Sequence, residues 1–314
     1  MTERVAYDEF GLFHENIAEY ELNAHNPSVS ARPQVERISH TLGDGRVVSL
    51  LKWGSTAPEL VLVHGGSQNA HTWDTVALAL GRSLIAIDLP GHGHSSWRND
   101  AAYAPKSMAV DLAEVVATHA ATARLVVGMS LGGLTSLALC GVAPHLVRAL
   151  ALIDITPGVT GAKAKAVLDF VNGPQSFASF DDLLARTIEH NPTRTVSSLR
   201  RGILHNAKQL EDGSWQWRYD RRSHVRDAAA TSEPVESSAL SELWDIVGGL
   251  SDPVTLVRGG VSPVVDDADV AELQRRNPGA NVVVIDGAGH SVQGDKPVEL
   301  TVLLADMLAD LPAQ

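Results

Sequence analysis

Residues 128–132 read Gly-Met-Ser-Leu-Gly, a G-x-S-x-G pattern with Ser130 between two glycines. A serine hydroxyl is nearly inert at neutral pH and becomes a nucleophile only with a base within hydrogen-bond reach. Small-residue pentapeptides also arise by chance, so the surroundings decide. Ser130 follows the apolar run ARLVVG and precedes the helical pattern LGGLTSLALCG. A side chain on such a strand-to-helix turn projects above the carboxyl edge of a sheet, and the helix N-terminus beneath it offers free N–H groups. The chain has 13 histidines. His290 differs from the rest: it follows the last strand-like run, within Gly287-Ala288-Gly289-His290, at the same sheet edge as Ser130. The run ALALID ends at that edge with Asp154. A carboxylate closing an apolar strand needs a partner, because burying it unpaired is expensive.

The elements that must position these residues alternate along the chain. Residues 35–42 and 47–54 read as two strands joined at Gly43-Asp44-Gly45, a hairpin signal. Apolar runs follow at 59–63, 83–88, 123–128, 147–154, 253–257 and 281–285. They are β-branched and nearly continuous, as strands buried on both faces of a parallel sheet are. Helical patterns lie between them at 72–81, 106–120, 131–142, 267–277 and 297–310. This alternation implies an α/β fold, a mostly parallel central sheet with helices on both faces. Residues 158–250 are too long for a crossover and too patterned for a loop. They read as helices near 162–172, 178–190, 195–208 and 236–248, with GSWQWRYD as a short strand before the last. The chain therefore divides into an N-terminal extension (1–34), a core (35–157 and 251–314) and an inserted cap (158–250). The extension is acidic and helical, and is expected to lie over the surface or to be partly mobile.

From about residue 35 onward the chain resembles proteins of the α/β-hydrolase fold. Four motifs carry the likeness in order: LVLVHGGS at 60–67, DLPGHGHS at 88–95, GMSLG at 128–132 and DGAGHS at 286–291. The resemblance implies that Ser130 is the nucleophile and His290 the general base. It implies an oxyanion hole of two backbone N–H groups, from Leu131 and Gly66. It gives Asp88 the role of a loop anchor, and gives His64, His92 and His94 the shaping of edge loops. The acid departs from the commoner pattern. Relatives usually carry it after the penultimate strand, where this chain has Arg258-Gly259-Gly260-Val261-Ser262-Pro263. Ser262 cannot orient an imidazolium as a carboxylate does. Other relatives carry the acid at the end of the strand after the nucleophile, which here is Asp154. Asp154 is favoured over Asp266 and Asp267, which suit a helix start.

Composition bounds the rest. The net charge of -12 disfavours nucleic acid and anionic membrane surfaces. No run approaches the ~20 apolar residues of a membrane span, and MTERVAYDEF lacks the features of a secretory signal. The single cysteine, Cys140, sits among apolar neighbours and fits a small buried hydrophobe in a cytoplasmic protein. No Cys/His cluster has metal-ligand spacing and no phosphate loop is present, so neither metal nor cofactor is expected. The expected partner is a small-molecule substrate, and a homo-oligomer is compatible with the composition. Serine at the elbow points to hydrolysis of an ester or lactone through an acyl-enzyme. The same residues serve carbon–carbon bond hydrolysis and perhydrolysis, and some superfamily members are receptors with little turnover. Residues 159–230 hold 11 Lys/Arg and 8 Asp/Glu, a net of +3, which suits either an anionic substrate or solvated helix faces. Trp73 and Trp97, in edge loops, are the candidate substrate contacts. Trp215 and Trp217 either line the pocket or pin the cap.

Overall fold

The computed structural model describes residues 4–222 and 238–312. Eleven strands occur among them: β1 (Val35–Thr41), β2 (Val47–Trp53), β3 (Leu60–Val63), β4 (Leu84–Ile87), β5 (Leu125–Met129), β6 (Leu150–Ile153), β7 (Ser176–Phe177), β8 (Ala207–Gln209), β9 (Trp215–Trp217), β10 (Val254–Gly259) and β11 (Asn281–Ile285). Eight form one sheet in the order β1-β2-β4-β3-β5-β6-β10-β11. The β1–β2 and β2–β4 pairs are antiparallel and the others parallel.

Side chains alternate across the sheet with period two. Val61 and Val63 face one apolar layer, with the helices Pro105–His119 and Leu131–Val142. Leu60 and Leu62 face the other, with Asp74–Leu80 and Pro297–Asp310. Every residue of β3, β4, β5 and β6 is buried. Both faces being covered is what removes polar alternation from these runs.

Between β6 and β10 the helices Lys165–Val171, Phe180–His190 and Val196–Asn206 pack on a small antiparallel sheet, β7-β9-β8. Ser179 and Thr195 cap two of these helices, accepting from the N–H groups of Asp182 and Ser198. This insert has its own apolar centre of Leu183, Ile203, Leu204, Trp215, Trp217 and Tyr219. GSWQWRYD does contain a strand, and its partners β7 and β8 are too short for periodicity to reveal.

Three expectations need revision. The helix Ser238–Gly249 packs on the core, not on the insert: Leu243 and Val247 belong to the main apolar layer. The expected residues 236 and 237 of that helix lie outside the described residues. The strand expected over 147–154 pairs only from Leu150, because Pro144–Leu146 forms a 3-10 turn and the chain then has to enter the sheet. The N-terminal extension is no surface dressing. Its helix Phe13–Glu19 buries Phe13, Ile17 and Leu22 of the following turn beside Trp53 and Trp73.

Candidate active site

Every parallel strand delivers a candidate residue at its carboxyl end. Ser130 directly follows β5 and opens the helix Leu131–Val142 at φ 51°, ψ −120°. A non-glycine residue with positive φ is strained and persists only where its surroundings over-determine it. Here the Ser130 N–H donates to the Ile153 carbonyl (3.2 Å), and Gly128 and Gly132 flank it. A Cβ at Gly128 would strike the backbone of Gly132 and Gly133, and one at Gly132 would strike the carbonyls of Val63 and His64. The close approach of helix, β3 and β5 therefore demands both glycines.

Asp154 ends β6, also at positive φ (50°), and is fully buried. Its carboxylate accepts three hydrogen bonds: from the Gly259 N–H (2.9 Å), from the Ser262 hydroxyl and from His290 Nδ1 (2.8 Å). Ser262, standing where relatives commonly carry the acid, thus donates to the candidate acid Asp154. Asp266 and Asp267 take no part. Asp266 caps the helix Asp267–Arg276 in a reciprocal capping box with Asp269, and Asp267 pairs with Arg258.

Ser130, His290, Gly66 and Met129 line one cavity of about 430 Å³. Gly66 lies against Leu131: a Cβ added to it would sit 3.8 Å from Leu131 Cδ2. The insert supplies apolar wall, including Phe170, Val171, Leu199, Ile203 and Trp217, and the N-terminal helix supplies Asn16. Trp217 therefore lines the cavity, whereas Trp215 packs edge-on against Phe180 within the insert.

The two candidate contacts, Trp73 and Trp97, do not line the cavity. Trp73 is completely buried in the apolar layer beneath the sheet edge, because the short 3-10 helix Ala70–Trp73 turns its indole inward. Trp97 is 43 % exposed on the outside, with the Arg222 guanidinium 6.0 Å above its ring.

The edge loops behave as anchors. Asp88 is fully buried and accepts from the N–H groups of Ala70 (2.7 Å) and His94 (3.0 Å) and from Arg37 Nη1 (2.7 Å). Burial opposes its charge, but Arg37 outweighs that and holds its carboxyl below the usual range. Burial pushes the His64 pKa below its ordinary value. Its Nδ1 donates to the Gly65 carbonyl (2.7 Å) and its Nε2 accepts from Leu89 N–H (2.9 Å). His92 Nδ1 donates to the Pro90 carbonyl (3.1 Å).

Three residues that carry no motif tie the edge loops together. Gln68 accepts from Gly65 N–H (3.2 Å) and donates to Ser291 beside His290 (3.3 Å). Gln293 donates to Gln68 (3.3 Å). Asn206 of the insert donates to the Ser67 carbonyl and accepts from Asn69 (3.2 Å). Polar side chains in edge loops and at a helix end are the signal that points to such ties, and it is too common to be specific.

His71, Asp74 and His205 have metal-ligand types within 4.8 Å of one another. Their contacts describe an ion pair instead. His71 donates to Asp74 (2.8 Å) and Glu9 (3.1 Å), and its ring stacks on His205 at 3.9 Å and 12°. In-plane lone pairs of parallel stacked rings do not converge on one ion.

The sequence profile of the alpha/beta hydrolase family matches residues 60–302. The chain belongs to that family. It is 42 % identical over 313 residues to esterase Rv0045c of Mycobacterium tuberculosis, covering 98 % of this chain and 97 % of that protein. The crystal structure of that novel esterase superposes with a TM-score of 0.82, at 42 % identity over 98 % of this chain and all of the other. A more distant relative, 3-hydroxybutyrate-oligomer hydrolase of Cupriavidus necator, is 27 % identical over 80 % of this chain and 89 % of its own length. No described helix is long and apolar enough to cross a membrane.

Proposed function

We propose that the chain is a serine esterase in which Ser130, His290 and Asp154 act as nucleophile, base and acid. The observation that carries the reading is the hydrogen bond from His290 Nδ1 to Asp154 (2.8 Å), on a histidine that shares a cavity with the elbow serine. With Nδ1 donating to the carboxylate, Nε2 is left as the acceptor for a serine proton. Ser130 then attacks the ester carbonyl as His290 takes its proton. The backbone N–H groups of Leu131 and Gly66 receive the oxyanion, and a single donor of this kind contributes about 10²–10³ in turnover. His290 protonates the leaving alcohol, and water, activated by the same histidine, releases the acid.

The insert serves as the cap over this site, and its apolar wall suits a small substrate with an apolar body, an ester or a lactone. The relationship to an esterase at 42 % identity supports ester over carbon–carbon bond cleavage or perhydrolysis. Fluorophosphonate labelling and turnover of short p-nitrophenyl esters test the reading. Wild type is expected to be labelled and active and Ser130→Ala neither. Slow turnover combined with ligand-dependent binding of a protein partner would instead indicate a receptor.

A further inference from the structure

Three Lys/Arg side chains line the cavity: Lys163, Arg194 and Arg201. Two are neutralised. Lys163 pairs with Asp266 (3.0 Å) and Asp269 (2.7 Å), and Arg201 pairs with Glu15 and Glu19 of the N-terminal helix. Arg194 has no carboxylate partner among the described residues. Its Nη2 donates to the Ser198 hydroxyl, and its Nε is buried without a hydrogen-bond partner. A buried guanidinium N–H left unpaired is costly, and such groups are normally satisfied by protein, water or ligand.

The placement of this cation is fixed. Arg194 follows a turn closed by its own N–H donating to the Asn191 carbonyl (3.2 Å), just before the Thr195 cap. Its guanidinium lies flat on Gly294: a Cβ there would come within 2.9 Å of both Cζ and Nη1. Gly294 belongs to the short helix Val292–Asp295 that follows His290. The acid of that helix, Asp295, also lines the cavity, but it accepts from the Gly289 N–H (2.8 Å) and the Thr193 hydroxyl (3.4 Å) and makes no ion pair with Arg194. Arg194 thus lines the cavity beside the segment that follows the candidate base. The apolar side chains of Phe170, Val171 and Leu199 line the same cavity.

From this we infer that Arg194 is a carboxylate-binding residue, and that the substrate is an ester bearing a terminal carboxylate separated from the reacting carbonyl by an apolar spacer. The planar fork of a guanidinium matches a carboxylate in two parallel hydrogen bonds. The inference rests on the esterase reading for the reacting bond, but the anion subsite itself does not.

Two experiments separate the claims. The first needs no turnover: thermal unfolding of wild type with glutarate or with its uncharged diamide, glutaramide. Glutarate is expected to raise Tm and glutaramide to leave it unmoved. The rise should persist in Ser130→Ala and vanish in Arg194→Gln. Equal effects of the two compounds would overturn the subsite. The second compares kcat/KM for the p-nitrophenyl half-ester of glutaric acid with that for p-nitrophenyl butyrate. The ratio is expected to fall roughly 10- to 100-fold in Arg194→Gln, the scale of a lost hydrogen bond to a charged group. Most of the fall should lie in KM, with partial recovery in Arg194→Lys. An unchanged ratio, with both esters slowed alike, would mean that Arg194 only packs against Gly294, and the inference would fail. If neither ester turns over while glutarate still stabilises the protein, the esterase reading fails and the subsite stands.

Discussion

Asp154 holds its place through donors from three separate segments: β10, the loop after it, and the loop that follows β11. Replacing it by asparagine presents an amide to His290 and favours the wrong tautomer. Turnover by Asp154→Asn is expected to fall by up to ~10⁴-fold, the scale of such a change in a serine triad. Asp266→Asn keeps a capping side chain and weakens only the pairing with Lys163, and is expected to leave turnover nearly as it is while lowering Tm slightly. Steady-state kinetics on one p-nitrophenyl ester decide between them, and equal losses would remove Asp154 from its role. Ser262→Ala is expected to lower kcat by about tenfold, because one of three donors steadying the carboxylate is lost. At this scale much could be read from the chain. Ser130, His290 and Asp154 each sit where an apolar run breaks off, and strand ends are visible in sequence. The link between Ser262 and Asp154 was not, because it depends on the register between β6 and β10. Nor was the burial of Trp73, since an indole in an edge loop turns inward or outward according to the backbone of a single turn.

Elements far from the motifs were harder to read for a physical reason. The helix Phe13–Glu19 looks acidic and solvated, and its charges do have partners, but those partners lie about 180 residues away. Glu15 and Glu19 face Arg200 and Arg201 of the insert, while Phe13 and Ile17 face the core. Long-range charge pairing leaves no local period to detect. Phe13→Ala is expected to destabilise the fold by about 3–5 kcal/mol, as deleting a buried aromatic ring does. A denaturant midpoint indistinguishable from wild type would show the segment to be detached. Arg201 is itself buried, so Arg201→Ala removes the ion-pair partner of Glu19 and one of the two of Glu15, and is expected to lower Tm. Glu15→Gln combined with Glu19→Gln should recover part of that loss.

Across the whole molecule the N-terminal segment is joined to the sheet edge by charge as well as by packing. Burial opposes a proton on His71, but Asp74 and Glu9 outweigh it and hold its pKa up at about 9, from an ordinary value of 6.5. Burial likewise opposes charge on Glu9, but His71 and Arg37 outweigh it and bring its pKa down to about 2, from 4.5. The His71 contribution is complete below pH 6.5 and is lost as pH rises through about 9. The Glu9 contribution is complete above pH 4.5 and is lost as pH falls toward about 2. Glu9→Gln is therefore expected to lower Tm more at pH 6 than at pH 10. A Tm difference that does not change over that interval would remove His71 as the partner.

The cavity carries one more consequence. Its candidate reacting groups all hang from the sheet, whereas about half of its wall comes from the insert and a little from the stretch before β1. The two kinds of part answer to different constraints. Moving a strand end disturbs the bond-breaking geometry at once, but redrawing the wall alters only what fits. Substrate choice in such a molecule can drift, or be exchanged by recombination at the ends of two chain segments, while the chemistry stays inherited and unchanged. A graft of residues 4–34 together with 158–222 onto a related sheet would move the preference without moving the reaction.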